Sequence, residues 1–459
     1  MKTLVIIGAG FSGAVTAAQF LRHSPPGVRV VLINRSGAMA RGLAYGTNSS
    51  LHLLNVPAGN MSAYADEHDH FLDYCRERHP SFNASTFAPR KIYGDYLVSI
   101  LDQAERQAPA DVIFKRVISE VDSLRADGAG AVLELSNGMR IRADQVVLAF
   151  GNFSPLDPPG FSPTLGKNRY QSDPWSGSKE QSSDPDKPVL LVGAGLTALD
   201  VAIGLLHQGH RGPIHMVSRR GLRPLPHRQS RSMRDIPPIL TEALLKSAPS
   251  VREYVRLIRR EVKLAQARDL DWRDLLAAIR PVTPDLWKRL SCVERQRFLR
   301  HVQSFWDVHR HRVAPAAYQY FSDALEAGQI RSIAGRIRKV DEHPEGLVID
   351  VELRGTTRIR KITVARVINC TGPNTDLRCV DDKLITQLTH DGLISLDSLG
   401  LGIKVSERLS TMSASGQAVE WLHYIGPMLK SDFWEATAVP ELRQHAKALA
   451  LDLAKKIIT

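Results

Sequence analysis

Two glycine-rich turns constrain the fold of this chain more than any other feature: residues 8–13 read GAGFSG and residues 193–198 read GAGLTA. Each turn follows an unbroken apolar run and precedes a helical pattern, so each is expected to join a buried parallel strand to a helix. In such turns the first glycine allows the tight bend, the second lets the backbone approach a pyrophosphate, and the third position must be small for close packing. The pyrophosphate would meet free amides at the helix N-terminus. The chain is therefore predicted to bind two dinucleotides.

Each turn taken alone has a simpler interpretation, which is an ordinary tight connection between a strand and a helix. The second turn ends in Ala198 where the first ends in Gly13, and alanine is accepted at that position. Because the same strand, turn and helix pattern occurs twice, we favour the nucleotide-binding interpretation for both.

The bulk composition is that of an ordinary globular protein. The 459 residues suggest two to three domains, and 43% hydrophobic with 24% charged residues is enough for a sizeable core. The glycine turn interrupts the apolar N-terminus, which we interpret as a strand and helix rather than a signal peptide, and no apolar run reaches the roughly 18 residues needed to span a bilayer. We expect a cytoplasmic protein without integral membrane association.

The charge and the cysteine and histidine content argue against nucleic-acid binding, a disulfide framework and a metal site. The formal net charge is +12, but the basic residues are spread and few aromatics are interleaved, so we expect no nucleic-acid binding. The four cysteines are too few and too scattered for a disulfide framework or a zinc site. The histidine pairs 68/70 and 309/311 are spaced two apart, which places the rings on different sides of a helix, so no metal site is predicted.

The pattern along the chain suggests where the domains divide. A stretch rich in Pro, Ser and Gly runs from residue 154 to 188, and residues 237–326 change to helical periodicity. Strand patterns between residues 112 and 150 include an Asn137-Gly138 hairpin signal. A strand ending in glycine at 372 repeats the strand ending at Gly151.

These features together resemble flavoproteins with two dinucleotide-binding domains, which bind FAD at the first site and NAD(P)H at the second. The resemblance is carried by both turns and by the strand ends 148–151 (LAFG) and 369–372 (NCTG). Four further segments resemble a bacterial family of FAD/NAD(P)-binding proteins related to flavin-containing and amino-acid N-hydroxylating monooxygenases: 42–47 (GLAYGT), 53–57 (LLNVP), 218–221 (SRRG) and 434–443 (WEATAVPELR).

The resemblance implies an α/β fold with two Rossmann-like dinucleotide-binding domains, glutathione-reductase-like, and a helical insertion. It implies a discontinuous FAD domain, residues 1–155 plus 364–459, an NADPH domain, residues 186–236 plus 327–363, and an insertion at residues 237–326. The implied FAD-binding residues are Gly8, Gly10, Ser12, Gly13, Asn34, Gly151, Thr371, Gly372, Thr437, Ala438 and Val439. The implied NADPH-binding residues are Gly193, Gly195, Thr197, Ser218, Arg219 and Arg220.

Three of these assignments have a physical rationale, and two of them also have an alternative interpretation. Asn34 stands where an acidic residue normally holds the first ribose, and an amide still bonds a diol. Arg219 and Arg220 suit a 2′-phosphate, which favours NADPH over NADH, although they can also be plain surface arginines. Residues 437–439 would place a helix N-terminus against the flavin, and the alternative is a plain amphipathic terminal helix.

Asn55 resembles the loop asparagine that faces the flavin and NADP in flavin monooxygenases, and it is the candidate catalytic residue; a simple Asn-Val-Pro turn is the alternative. The sequence departs from those enzymes at residues 164–170 (TLGKNRY), which lack the aromatic and histidine of their Phe-x-Gly-x-x-x-His fingerprint. It also lacks the paired cysteines of disulfide reductases.

The resulting hypothesis is an FAD-dependent, NADPH-oxidising monooxygenase or oxidoreductase that acts on a small polar molecule, with hydride transfer from NADPH to flavin N5. One alternative is a reductase that passes electrons to an organic or protein acceptor. Another is a non-catalytic FAD-binding regulatory protein. The sequence allows a homo-oligomer and does not identify the substrate.

Overall fold

The computed structural model describes residues 1–47, 49–166, 168–176, 184–228, 239–268 and 270–458. The first part of the chain contains β1 (Lys2–Ile7), α1 (Phe11–Arg22), β2 (Val28–Asn34), α2 (Gly42–Tyr45), α3 (His70–Arg78), α4 (Arg90–Gln107), β3 (Ile113–Ile118), β4 (Val121–Asp127), β5 (Gly130–Leu135), β6 (Arg140–Ala143) and β7 (Gln145–Leu148). The middle part contains β8 (Tyr170–Gln171), β9 (Val189–Val192), α5 (Leu196–His207), β10 (Ile214–Ser218), α6 (Ile239–Lys246), α7 (Val251–Gln266), α8 (Trp272–Ile279), α9 (Thr283–Arg289), α10 (Cys292–Arg297), α11 (Gln303–Arg310), α12 (Pro315–Glu326), β11 (Ile330–His343), β12 (Gly346–Leu353), β13 (Ile359–Val364) and β14 (Arg366–Asn369). The last part contains α13 (Lys383–His390), β15 (Ser410–Met412), β16 (Ala418–Tyr424) and α14 (Val439–Lys456).

The first sheet has the strand order β15-β16-β7-β1-β2-β3. All neighbours from β16 to β3 pair in parallel, and β15 adds an antiparallel edge. Because β1 is covered on both faces, residues 3–7 are all buried, which explains the unbroken apolar run in the sequence. Helix α1 packs against α4 and α14, so the C-terminal helix belongs to the same layer as the first helix.

A small antiparallel sheet, β4-β5-β6, is attached to this domain. The predicted Asn137-Gly138 turn joins β5 to β6, and Gly138 has a φ of +81°. The hairpin prediction is thus confirmed, because glycine adopts this left-handed conformation without a steric penalty.

The second sheet has the order β13-β12-β11-β10-β9-β14-β8. Strands β11, β10, β9, β14 and β8 pair in parallel, while β12 and β13 extend β11 as an antiparallel meander. The two sheets repeat one arrangement: β1 lies between β2 and β7, and β9 lies between β10 and β14. The α/β fold with two Rossmann-like dinucleotide-binding domains is therefore confirmed.

The division between the domains differs from the sequence-based expectation at two places. Strand β14 pairs with β9, so the chain returns to the first domain after Asn369 and not at residue 364. Helix α12 packs on α5, and its buried Phe321 shares a core with Val189 and Ile214, so α12 belongs to the second domain and not to the insertion. In both cases the boundary is set by contacts between distant segments: strand pairing for β14 and helix packing for α12.

The helical insertion comprises α6 to α11. Its own core is built around Leu244, Leu257 and Trp287, and this core includes Leu401 and Trp434 from the C-terminal part of the chain. The Trp287 and Trp434 ring centroids lie 4.5 Å apart. The insertion is thereby anchored on the first domain, next to the segment that precedes α14.

Two segments carry the chain between the domains, one after β7 and one after β14. They pair with each other through an antiparallel bridge, in which the amide of Asn374 donates to the carbonyl of Phe153 at 3.2 Å. In the part of the chain that the structure describes, no helix is long and apolar enough to cross a membrane.

Candidate functional site

A cavity of about 670 Å³ opens at the carboxyl ends of the first sheet's strands. This is the edge at which open α/β sheets bind their ligands. Nine of the residues implied by the resemblance line the cavity: Gly8, Gly10, Ser12, Asn34, Gly151, Thr197, Gly372, Thr437 and Val439.

The first glycine of each turn is required by the fold itself. Gly8 has a φ of +101°, and a Cβ there would lie 2.7 Å from the carbonyl oxygen of Ala149. Gly193 has a φ of +119°, and its Cβ would lie 2.4 Å from the carbonyl oxygen of Cys370. Each turn therefore lies tightly against the end of a neighbouring strand. The first turn lies against residues 148–151 (LAFG), and the second lies against residues 369–372 (NCTG). Gly13 is also fixed by packing, since a Cβ there would lie 1.9 Å from the carbonyl oxygen of Gly8.

The second glycine of each turn is not required by the fold. Gly10 and Gly195 have φ values of −78° and −85°, which any residue adopts. A Cβ at Gly195 would meet no atom within 4 Å, and one at Gly10 would lie 3.7 Å from the Cα of Gly42. Open space above a glycine at the N-cap of a helix is what a pyrophosphate needs for close backbone approach. Both turns therefore fit a dinucleotide.

Asn34 closes the first turn. Its Oδ1 accepts a hydrogen bond from the amide of Ala9 at 3.2 Å, and its Nδ2 donates to the carbonyl of Ser36 at 2.7 Å. The side chain lines the cavity while it holds the turn and the following loop together. Its position at the end of β2 is the one where a ribose is held in this fold.

Helix α14 begins at the cavity. Thr437 and Val439 line it, and Ala438 between them is the N-cap residue. The helix of residues 439–456 directs its positive N-terminal dipole toward this space. The helix N-terminus expected at residues 437–439 is confirmed, because α14 begins at Val439.

The second domain contributes to the same cavity through the N-terminus of α5. Leu196, Thr197 and Asp200 line it, together with Gly372 after β14. Asp200 forms an ion pair with Arg90 at 2.8 Å, and Arg90 also donates from Nε to the carbonyl of Leu53 at 3.1 Å. The two glycine turns thus face one shared space.

The loop that follows β10 carries the two arginines predicted to bind the 2′-phosphate of NADPH. Arg219 is exposed and makes no side-chain hydrogen bond or ion pair within the described ranges. Arg220 is engaged: its guanidinium donates to the carbonyls of Arg300 and His301 at 2.5 and 2.9 Å and lies 5.1 Å from the centroid of Phe305.

Two other predicted residues here have local partners. Ser218 Oγ accepts from the amide of Gly221 at 3.1 Å. The hydroxyl of Thr371 donates to Asn369 Oδ1 at 2.7 Å. Both side chains therefore stabilise the loops that follow β10 and β14.

Asn55 lies outside the cavity wall. It is half-buried, and its carbonyl oxygen accepts a hydrogen bond from His227 Nε2 at 2.9 Å. The same loop carries His52, which does line the cavity. The structure thus brings the Asn55 loop to the edge of the site.

Among the cavity residues that had no role in the sequence-based prediction are His52, Trp175 and Asp200. The His52 and Trp175 rings meet edge to face, with centroids 5.6 Å apart. Burial lowers the pKa of His52, so the ring is neutral at pH 7. A tryptophan within a Pro/Ser/Gly-rich linker and an acid on the apolar helix α5 were the available signals. Among the described residues no group of three His, Cys, Asp or Glu side chains is arranged to hold a metal ion.

The paired turns, the shared cavity and the sheet order define the fold of flavoproteins with two dinucleotide-binding domains. Residues 5–153 match the family model described as FAD-NAD(P)-binding. No curated protein sequence is significantly similar to the chain.

Solved structures share the fold at low sequence identity. The ornithine N-hydroxylase of Kutzneria sp. 744 is 13% identical, with a TM-score of 0.65 over 99% of both chains. The L-lysine 6-monooxygenase of Pseudomonas syringae is 16% identical, with a TM-score of 0.65 over 100% of both chains. The bacillithiol disulfide reductase of Bacillus cereus is 13% identical, with a TM-score of 0.56 over 99% of both chains. At these identities the likeness establishes the fold.

Proposed function

We propose that this protein is an FAD-dependent, NADPH-oxidising monooxygenase or oxidoreductase that acts on a small polar molecule. The observation that carries the proposal is that the N-terminus of α5 and the turn at Gly8 line one cavity. A reaction between two bound dinucleotides requires their reactive ends to meet, and a shared cavity allows that contact. FAD, when bound, supplies the redox chemistry, and the protein supplies binding, orientation and exclusion of water.

The residues of the chain have distinct tasks in this proposal. The free amides at the start of α1 and α5 hold the two diphosphates, with the open spaces at Gly10 and Gly195. The N-terminus of α14, at Thr437 and Val439, places a positive dipole where negative charge develops on a reduced cofactor. Arg219 is the residue best placed to contact a 2′-phosphate, because Arg220 is already committed to backbone carbonyls.

Two observations favour an oxygen-using enzyme over a disulfide reductase. The sequence contains no Cys-x-x-Cys pair, and its four cysteines are unpaired: Cys75 and Cys370 are buried, and Cys292 and Cys379 are exposed. Burial raises the pKa of Cys75 to about 12 and raises that of Cys370 still further, so neither is a ready thiolate at pH 7. Three neighbours with TM-scores of 0.65 are an ornithine N-hydroxylase, an L-lysine 6-monooxygenase and a cadaverine monooxygenase.

The test is spectroscopic. The purified protein, loaded with FAD, is reduced anaerobically with NADPH or NADH and then exposed to oxygen, while flavin absorbance and oxygen uptake are recorded. We expect NADPH to bleach the flavin bands faster than NADH, followed by oxygen consumption. Bound flavin that neither coenzyme reduces would show a non-catalytic binding protein instead. Bleaching that reverses only with an added organic acceptor would favour the reductase.

A further inference from the structure

A concentration of charge lies beside the loop that carries Asn55. Pro226 and Val313 form a parallel bridge, and the amide of His227 donates to the carbonyl of Val313 at 2.9 Å. Arg312 therefore lies on the backbone segment next to His227. Because the His227 ring bonds the carbonyl of Asn55, this region adjoins the loop of the candidate site.

Four arginines, which we call the arginine cluster, meet here: Arg228, Arg273, Arg310 and Arg312. Their mutual repulsion is offset for the first three by carboxylates. The ion pairs are Arg228 with Asp271 at 2.9 Å and with Asp274 at 2.7 Å, Arg273 with Asp271 at 3.2 Å, and Arg310 with Glu435 at 2.8 Å.

Arg312 differs from the other three. It forms no ion pair with any residue that the structure describes. Its Nε, like that of Arg310, is buried without a hydrogen-bond acceptor. Burial, followed by the charges of Arg310 and Arg273, lowers the pKa of Arg312 to about 10, so the group is still a cation at pH 7. A half-buried guanidinium held among other cations is unfavourable unless an anion binds to it.

The position of the arginine cluster connects it to the cavity. Glu435, the partner of Arg310, is 3% exposed, and its carbonyl accepts from the amide of Thr437 at 2.7 Å. Thr437 lines the cavity at the start of α14. The loop with Asn55, which His227 contacts, also carries His52, another cavity residue. The arginine cluster is therefore flanked by two segments that reach the site.

We propose that Arg312 anchors a carboxylate of the substrate at the edge of the cavity beside Asn55. The inference rests on the proposed function, because it requires a substrate at this edge. A guanidinium matches a carboxylate through two parallel N–H···O bonds. His227 Nε2 donates to the carbonyl of Asn55, and burial lowers the pKa of this ring to about 4, so the ring is neutral at pH 7 and adds no charge of its own. The surplus of cations disfavours a substrate that presents an ammonium group here, and the predicted substrate class is an organic acid.

The experiment measures binding by titration calorimetry to the FAD-loaded protein. The probes are acetate, succinate and glutarate, with acetamide, succinamide and glutaramide as neutral counterparts. The variants are Arg312→Gln, Arg312→Lys and, as a matched loss of one positive charge, Arg259→Gln on the exposed face of α7. Each titration is repeated with saturating NADP⁺, and the melting temperature of each variant is recorded in buffer without organic anions.

We expect at least one carboxylate to bind the unaltered protein, at least about tenfold more tightly than its amide, with affinity lost in Arg312→Gln and partly kept in Arg312→Lys. Arg259→Gln should bind as the unaltered protein does. The melting temperature of Arg312→Gln should equal or exceed that of the unaltered protein, because an unpaired cation is removed.

Four results would overturn the inference: no carboxylate binding, equal binding by Arg312→Gln, displacement of the carboxylate by NADP⁺, or a lower melting temperature for Arg312→Gln. Displacement by NADP⁺ would assign the site to a coenzyme phosphate, and a lower melting temperature would assign Arg312 a structural role. None of these measurements uses NADPH turnover, so absence of NADPH oxidation contradicts the proposed function alone.

Discussion

Arg90 and Asp200 lie 2.8 Å apart across the boundary between the two dinucleotide-binding domains. Arg90 is the first residue of α4 in the first domain, and Asp200 lies on α5 in the second. Their side chains are 18% and 12% exposed, so the pair is largely shielded from solvent. It is one of the contacts that hold the N-terminus of α5 against the cavity.

Substitution of either residue of this ion pair should therefore lower the stability of the protein. We expect Arg90→Met to destabilise the protein by about 2 kcal/mol, because the largely buried carboxylate of Asp200 is left without its cation. The measurement is the melting temperature of Arg90→Met, Asp200→Asn and the double variant, whose joint effect should be smaller than the sum of the two. Arg211 and Asp186 provide the control: the pair is equally short at 2.7 Å but is 67% and 61% exposed, so Arg211→Met should have little effect. Equal losses of stability in Arg90→Met and Arg211→Met would contradict a stabilising contact between the domains at Arg90 and Asp200.

The two arginines after β10 should respond differently to substitution. Arg219→Ala should raise the KM for NADPH at least about tenfold and leave NADH kinetics nearly unchanged, because only NADPH carries the phosphate. Arg220→Ala should lower the melting temperature and affect both coenzymes alike, since it removes two hydrogen bonds to the carbonyls of residues 300 and 301. Steady-state kinetics with both coenzymes separates the two roles. A similar rise in KM for NADPH and NADH in Arg219→Ala would rule out a 2′-phosphate contact.

Substitutions at the two glycines of the second turn should affect different properties, which are coenzyme binding for Gly195 and stability for Gly193. Gly195→Ala should leave the melting temperature within about a degree, because its φ is −85° and its Cβ would meet no atom within 4 Å. The added methyl group should nevertheless weaken NADPH binding, as it occupies the space for the pyrophosphate. Gly193→Ala should destabilise the fold strongly, since its φ is +119° and its Cβ would lie 2.4 Å from a carbonyl oxygen. Calorimetric titration with NADP⁺ and thermal unfolding measure both effects. Unchanged NADP⁺ affinity in Gly195→Ala would remove the second turn from the coenzyme site.

The pKa of the His227 ring should depend on the charged side chains around it. Burial, followed by the charge of Arg312, lowers its pKa from 6.5 to about 4. Between pH 6.5 and 4 the unfolded chain binds a proton at this ring that the folded protein does not, so stability should fall as the pH is lowered through this window. Arg312→Gln should raise the pKa of His227 toward 6.5, as followed by NMR titration of the ring and assigned with His227→Gln. Arg259→Gln should leave this pKa unchanged. An equal shift in both variants would indicate a general charge effect.

Much of the fold follows from local sequence patterns. The runs before residues 8 and 193 are apolar because β1 and β9 are buried on both faces, and the glycines after them are imposed by the strand ends at Ala149 and Cys370. The cavity walls at Gly8, Asn34 and Thr437 could be named in advance because each follows a strand or precedes a helix of the recurring arrangement.

Contacts between distant segments could not be predicted in the same way. The pairing of β14 with β9 depends on three-dimensional strand order, and the apolar strand pattern alone is equally compatible with either sheet. The engagement of Arg220 with carbonyls of the insertion, and the ion pair of Arg90 with Asp200, join residues that are 80 and 110 positions apart. A sequence shows the charge of such residues but does not show which partner neutralises it.

The bridge between Phe153 and Asn374 has a consequence for how the protein moves. Because Phe153 and Asn374 are hydrogen-bonded to each other, the two segments that cross between the domains are joined at this point and do not act as independent tethers. Any hinge motion between the domains must therefore bend both segments together at this bridge. Opening the cavity on the side where Arg90 meets Asp200 would also require that ion pair to break.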